Sequence, residues 1–444
     1  MTECSTQLDL DFYKKSDLRV DFSGGDLTSD AGLLLVAQAD ERLGLCRALA
    51  SCIGEWRQPG RIRHTLEDQI RQRIYQIAAG YEDADDCDLL RSDWALKVAC
   101  GRLPSSEGDL ASQPTMSRLE NQVMLRELRA MMKQYVDAFI ASFESAPHEI
   151  VLDIDGWDDP THGEQQLSLF HGYYDQHMYY PVQVSDAKSG RPILVVLRAG
   201  NSHAGKGCAA YLRWLFWRLR KAFPQSRVIL RGDCGFSLPE LMLLCERSKV
   251  GYVLGISSNE VLKRKAQYLQ EMARLQFLRT GKKARLFDDV YYAASTWAEP
   301  RRVLFKAEHL PLGPNLRFVV TDQFDDPGSL YDDFYVMRGE ECENRIKEFK
   351  RGLKADRLSC HRFEANQLRL VLHQAAYWLL LEIRRAAKGT VFEKTQVEGL
   401  RSFLIKLGAR INQSARRVWV RIASACPHQQ IIALIARRLR ACPG

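Results

Sequence analysis

Hydrophobic positions change their period near residue 147. Before that point Leu66, Ile70, Ile74 and Ile77 recur at helical spacing, and Thr65 is placed to cap the helix they begin. Residues 1–146 therefore read as mostly helical, after a short extended start at Leu18-Arg-Val-Asp-Phe. The segment Gln113-Pro-Thr-Met-Ser-Arg-Leu-Glu-Asn joins a turn to a helix start and has the form of one half of a helix-turn-helix. Beyond residue 147 the apolar runs shorten to strands. Glu149–Asp155, Tyr179–Asp186 and Pro192–Arg198 come first, the last two joined by a turn at Lys188-Ser-Gly-Arg. A helix from Ala204 to Phe223, stopped by Pro224, leads to a fourth strand at Arg227–Gly232. A helix at Leu238–Arg247 and a fifth strand at Val250–Ile256 follow.

Three strands in meander, then helix, strand, helix and strand, is the order of a ribonuclease H-like α/β fold. A crossover helix between the third and fourth strands sets the fourth beside the first and parallel to it. Residues 257–330 interrupt that core with a basic helix, Val261–Arg279, and strand-like pieces at Asp289-Val-Tyr-Tyr-Ala, Arg301-Arg-Val-Leu-Phe-Lys and Arg317-Phe-Val-Val-Thr. So long a structureless loop is uncommon, which predicts a β-rich insertion domain. A charged helix around Glu343 resumes the core, and the apolar helix Asn366–Ile383 closes it. The expected domains are a helical DNA-binding region, 1–146, a first part of the core, 147–256, the insertion, 257–330, a second part of the core, 331–388, and a basic helical region, 389–444.

The chain of 444 residues has room for about three domains and a sizeable core. Its formal net charge of +8 is too small for its length to demand a polyanionic partner. Distribution says more. Arg401, Lys406, Arg410, Arg416, Arg417, Arg421, Arg437, Arg438 and Arg440 crowd the C-terminal stretch, opposed there only by Glu393 and Glu398, a surplus suited to phosphate. The twelve cysteines form no CxxC pair that could hold zinc and read as buried, reduced thiols. Neither a secretory signal nor an apolar run of the ~18–20 residues that span a bilayer is found. A cytoplasmic protein, nucleoid-associated in a bacterium, is the expectation.

Asp155 and Asp233 each end a strand-like run, and parallel pairing of those strands brings their carboxylates together. Glu343, Lys347 and Lys350 stand at i, i+4 and i+7, on one helix face. Singly, each aspartate reads equally well as a cap or turn residue, and the helix as a solvated ion-paired face. Jointly, two strand-end aspartates and a helical glutamate can hold divalent metal through hard oxygen ligands. Two ions ~4 Å apart can activate an attacking oxygen and stabilise a leaving one in phosphodiester transfer. Asp155 would bridge them, with Asp233 and Glu343 completing one site each. Asp153 points to the same face as Asp155 and is an alternative ligand or a supporting carboxylate. A calcium loop at Asp153–Asp159 is disfavoured because the later glycine and terminal glutamate it needs are missing.

An ordered set of motifs runs nearly end to end: Asp26-Leu-Thr-Ser-Asp-Ala-Gly-Leu-Leu-Leu, Gly80-Tyr-Glu-Asp-Ala-Asp-Asp, Leu90-Arg-Ser-Asp, Leu110-Ala-Ser-Gln-Pro-Thr-Met-Ser-Arg-Leu-Glu-Asn, His162-Gly-Glu-Gln-Gln, Phe170-His-Gly-Tyr-Tyr, Gly232-Asp-Cys-Gly-Phe, Arg301-Arg-Val, Asn315-Leu-Arg-Phe-Val-Val-Thr, Glu343-Asn-Arg-Ile-Lys-Glu and Asp356-Arg-Leu-Ser-Cys-His-Arg-Phe. With these the chain resembles a DDE-class insertion-sequence transposase of the insertion sequence thirteen-eighty family, transposase DDE domain group 1, related to the insertion sequence four group. The resemblance implies a catalytic, metal-binding triad of Asp155, Asp233 and Glu343, two Mg2+ ions with Mn2+ able to substitute, and cut-and-paste movement of DNA bounded by terminal inverted repeats. It also implies a Tyr, Arg, Glu, Lys signature, matched by Tyr335, Arg338, Glu343 and Lys350. Four residues separate Arg338 from Glu343, where the signature has three. Trp157 stands where the family usually has threonine.

Arg345 and Lys347 join Tyr335, Arg338 and Lys350 as expected DNA contacts around the glutamate. Trp297, ahead of Arg301 and Arg302, is an aromatic candidate for stacking on an exposed base, with a packed core tryptophan as the plainer alternative. His162 and Gln166 are assigned only proximity to the site. Arg416 and Arg417 are the expected contacts from the C-terminal region. The partners implied are double-stranded DNA with terminal inverted repeats and target DNA, bound by a homodimer assembled on DNA, with no membrane. The competing readings are a catalytically inactive, transposase-derived DNA-binding protein and a ribonuclease H-like nuclease or resolvase that cuts without joining.

Overall fold

The computed structural model describes Leu8 and residues 12–440. The chain divides into two compact units, residues 121–374 and residues 1–120 with 375–444.

An eight-stranded mixed sheet organises the first of these. Its strands are β1 (Glu149–Gly156), β2 (Val182–Asp186), β3 (Pro192–Val196), β4 (Arg227–Gly232), β5 (Gly251–Ile256), β6 (Ala284–Tyr292), β7 (Arg301–Leu310) and β8 (Gly313–Thr321). They lie in the order β6-β7-β8-β5-β4-β1-β2-β3. β4 is parallel to both β1 and β5, and all other neighbours are antiparallel. The central strands are covered on both faces, which explains their unbroken apolar runs. Val228, Ile229 and Leu230 of β4 and Tyr252, Val253 and Leu254 of β5 are all buried. Helix Leu125–Ala141 packs against β3, and Pro239–Arg247 against β5.

The strands of residues 257–330 extend this same sheet; they do not form one of their own. Phe318–Thr321 of β8 pairs with Val253–Ile256 of β5. Without that pairing β5 would present an apolar edge with unsatisfied backbone groups. The core follows the pairing across, through Ile229, Val253, Leu304, Val319, Leu330 and Tyr331. The single basic helix expected here is two, Glu260–Lys265 and Gln267–Thr280. The second packs on β6 and β7.

The expected strand Tyr179–Asp186 is also divided. Gln176–Tyr179 pairs with Asp159–Pro160 and Leu169–His171 in a separate three-stranded sheet, and only Val182–Asp186 joins the large one. Pro181 lies between them and lacks the N–H a continuous ladder requires. The helix carrying Glu343, Met337–Lys347, is flanked by π-helical turns at Leu330–Tyr335 and Glu348–Gly352.

In the second unit, Thr65 caps helix Leu66–Ala79 through a reciprocal capping box with Asp68, each bond 3.0 Å. The C-terminal region is not wholly helical. Ala409–Ser414 and Arg417–Ile422 form a hairpin, to which Leu27–Thr28 adds a third strand. Val418, Val420 and Ile422 alternate with Arg417, Trp419 and Arg421 at the period of a strand, and the arginines flanking them obscured that pattern. Part of the basic surplus is engaged within the unit: Lys406 pairs with Asp30 at 2.7 Å, and Arg401 and Arg438 donate to the backbone oxygens of Ala78 and Ala386. Among the described residues no helix is long and apolar enough to cross a membrane.

Candidate active site

The parallel register of β1 and β4 ends at Ile154 opposite Gly232, so Asp155 and Asp233 are the next residues of two adjoining strands. Gly232 permits the approach: a Cβ there would stand 2.9 Å from Ile154 and 3.2 Å from Leu254. Asp233 Oδ1 accepts from the Gly235 N–H at 2.9 Å as the cap of a short helical turn. Asp155 Oδ1 accepts from the Gly156 N–H at 2.9 Å. Its Oδ2 accepts from Arg338 Nη1, also at 2.9 Å, although Arg338 lies 183 residues away in sequence.

Burial raises the Asp155 carboxyl to about 7; Arg338 opposes the shift, while Asp233 and Glu343 add to it. Asp155 therefore feels the charge of both other carboxylates. Burial likewise raises the Tyr335 hydroxyl, against the pull of Arg338. That hydroxyl reaches the backbone of β5, where a Cβ on Gly255 would come within 2.5 Å of it. Tyr180 lies over Gly156 and, with Tyr174, walls the other side of Asp155; Arg198 stacks on Tyr180 at 5.2 Å. Tyr180 and Arg198 were not anticipated, since one lies at the Pro181 break and the other beyond the end of β3, and only the fold joins them. Tyr174 was foreshadowed by the Phe170-His-Gly-Tyr-Tyr motif.

Glu343 is half exposed, and Lys347 stands 3.9 Å from it. Lys350 turns instead to Asp158 at 2.9 Å and lies over the Trp157 ring at 6.0 Å. Trp157 is buried and meets Phe349 edge-on at 6.3 Å. This tryptophan thus joins the end of β1 to the segment following Glu343 by packing. Arg345 lies against Gly190. Trp297 is half-buried, edge-on to Tyr292 at 5.4 Å and under the Arg301 guanidinium at 5.4 Å. Arg416 and Arg417 are exposed at the hairpin turn. Gln166 ties loops together, its N–H donating to His361 O at 2.9 Å. Cys234, expected among the buried thiols, is exposed beside Asp233.

Asp153 is not available as a ligand. Both its oxygens accept from Arg231, Oδ1 from Nε at 2.6 Å and Oδ2 from Nη2 at 3.0 Å, and both side chains are buried. The two residues are register partners in β1 and β4, each two positions before its strand-end aspartate. Opposite charges at matching distances from those aspartates were the signal in the sequence.

Among the described residues no three His, Cys, Asp or Glu side chains are gathered as a ready metal cluster. The donor set still suits a hard divalent cation, because carboxylates are the oxygen ligands magnesium takes. A guanidinium already stands in as the cation on Asp155 Oδ2. Asp155, Asp233 and Glu343 are the residues that could hold the metal.

The raised Asp155 carboxyl has a consequence for the metal-free protein. From its ordinary value to about 7 the folded state binds a proton that the unfolded state has lost, so stability falls as pH rises through this window. The loss is on the order of 4 kcal/mol for about three pKa units. Urea unfolding at pH 5 and pH 8 should show Asp155→Asn more stable than wild type at pH 8 and less pH-dependent. An equal pH dependence in both proteins would place the titration elsewhere.

A family model, transposase DDE domain group 1, matches residues 10–443. No curated protein matches the chain. Among solved structures, a cryo-EM structure of the piggyBac transposase synaptic complex with hairpin DNA is similar at a TM-score of 0.44 and 12% identity, over 93% of this chain and 82% of that one. Because the family model spans nearly the whole chain, the protein belongs to the transposase DDE domain group 1 family.

Proposed function

We propose that this transposase cuts DNA at terminal inverted repeats and joins the freed 3' ends to target DNA, in cut-and-paste transposition of an insertion sequence. The reaction takes place in a ribonuclease H-like core, with Asp155, Asp233 and Glu343 as the catalytic carboxylates. The observation that carries this reading is the parallel pairing of β1 with β4, which sets Asp155 and Asp233 side by side at the ends of buried strands. Two magnesium ions held by the three carboxylates would supply Lewis-acid activation of the attacking oxygen and stabilisation of the leaving oxygen.

The chain's own cations do the positioning. Arg338 compensates Asp155 in the free protein and is close enough to transfer its guanidinium to a DNA phosphate, a group it can hold through two hydrogen bonds. Tyr335 orients Arg338, whose guanidinium lies 6.0 Å from its ring. Lys347 and Arg345 lie on the same helix as Glu343, and Lys350 on the turn that follows, all suited to phosphates beside the scissile bond. Residues 1–146 and 389–444 recognise the transposon ends, and two copies of the chain pair those ends.

Labelled terminal-repeat DNA mixed with the protein and magnesium tests the reading. Cleavage followed by strand transfer from a precut end is expected. Binding without nicking would mark an inactive DNA-binding derivative, and cutting without joining a nuclease. Arg416→Ala with Arg417→Ala should weaken DNA binding and reduce its salt dependence by about 0.9 for each phosphate no longer neutralised, as for duplex DNA generally. An unchanged slope in a salt titration would remove the hairpin turn from the DNA interface.

A further inference from the structure

Within the unit formed by residues 1–120 and 375–444, a cavity of about 710 Å³ is lined by six arginines: Arg57, Arg61, Arg63, Arg91, Arg102 and Arg118. They divide into two sets. Arg57 is held by Glu55 through two bonds of 2.8 and 2.7 Å, Arg102 lies 3.5 Å from Asp68, and Arg91 lies 3.8 Å from Asp109. Arg57 and Arg102 also brace the wall: Arg57 Nη1 donates to His64 O at 2.8 Å, and Arg102 Nη1 to Asp109 O at 3.0 Å. The other three, Arg61, Arg63 and Arg118, are exposed and have neither a carboxylate nor a hydrogen-bond acceptor among the described residues.

His64 accepts at Nδ1 from Arg102 Nη2 at 2.9 Å, and burial with the surrounding arginines lowers its pKa. The hydroxyls of Ser112 and Thr115 and the half-exposed face of Trp56 complete the lining. Paired arginines thus build the cavity, and three unpaired ones leave it an excess of positive charge with several donors. Guanidinium forks match phosphate oxygens, and an indole face suits a sugar or base.

We propose that this cavity is a DNA-backbone site in which Arg61, Arg63 and Arg118 each neutralise one phosphate, in addition to the contacts proposed at the carboxylate centre and the hairpin turn. The inference rests on the reading of the protein as a DNA-cutting transposase. It draws the Gln113-Pro-Thr-Met-Ser-Arg segment into DNA contact through Arg118 and Thr115, from the wall of a cavity.

The test uses the full chain carrying Arg61→Ala, Arg63→Ala and Arg118→Ala together, with terminal-repeat duplex DNA bound across a salt series. With three fewer phosphates neutralised, the slope of log affinity against log salt should become shallower by about 2.7. The matching triple lysine variant should restore most of that slope, because the charges return. A slope unchanged in the alanine variant would overturn the proposal. So would an equal loss in the lysine variant, which would indicate a folding effect. The two readings fail separately: if Asp155→Asn cleaves like wild type while the alanine variant loses slope, the catalytic assignment falls and the cavity stands.

Discussion

Asp155→Asn, Asp233→Asn and Glu343→Gln are each expected to abolish cleavage of terminal-repeat DNA while leaving DNA binding largely intact. Each replacement keeps the shape of its side chain and removes the negative charge, so affinity for the proposed metal would fall with little change in packing. Several kcal/mol of transition-state stabilisation depend on a metal in such reactions, and about 4 kcal/mol corresponds to roughly 10³-fold in rate. Asp155→Asn carries a second expectation of opposite sign. Without metal, the variant should be more stable than wild type above neutral pH, because burial disfavours the Asp155 carboxylate. A residue present only for the fold would lose stability and cleavage together. Single-turnover cleavage with magnesium, read beside a binding isotherm, separates the outcomes. Wild-type-like cleavage by any of the three would remove that residue from the catalytic set.

The second large effect concerns stability. Asp153→Ala should cost about 3–5 kcal/mol, because it strands a buried guanidinium without its partner. Arg231 is bound at two positions by Asp153, and its Nη1 donates to Phe334 O at 2.5 Å. Phe334 immediately precedes Tyr335 at the entry to the Glu343 helix. Arg231 therefore ties β1 and β4 to that helix, and its loss should disturb Tyr335 and Arg338 as well as the sheet. Replacing both partners by apolar residues, Asp153→Leu with Arg231→Met, should recover much of the stability, since no buried charge is left unpaired. Denaturant midpoints of Asp153→Ala and of the double variant decide the matter. A cost below about 1 kcal/mol for Asp153→Ala would show that the buried pair contributes little.

Several local features were legible in the chain because their causes are local. The Thr65 cap, the strand Arg227–Gly232 and the two strand-end aspartates are read from neighbouring residues whose period or turn chemistry declares them. Three expectations changed because their causes are not local. The strands of residues 257–330 reveal by their apolar residues that they are strands, but not which edge they join; the unpaired side of β5 takes them. The hairpin Ala409–Ile422 was hidden by its arginines, whose charges mask a period of two. Asp153 shares a face with Asp155, so alternation alone could not tell a ligand from a structural carboxylate. Arg231 across the parallel register made that distinction.

By itself the sequence determined the family, the element order of the core and the identity of the three candidate carboxylates, since residue types and spacings along the chain carry that information directly. Tertiary structure alone decided which cations those carboxylates meet. Arg338 reaches Asp155 across 183 residues, Lys350 turns to Asp158, and Arg231 neutralises Asp153. Charge is a property of each residue, but ion pairing and desolvation depend on distance and on what excludes water. Both arise only when strands and helices distant in sequence are packed together.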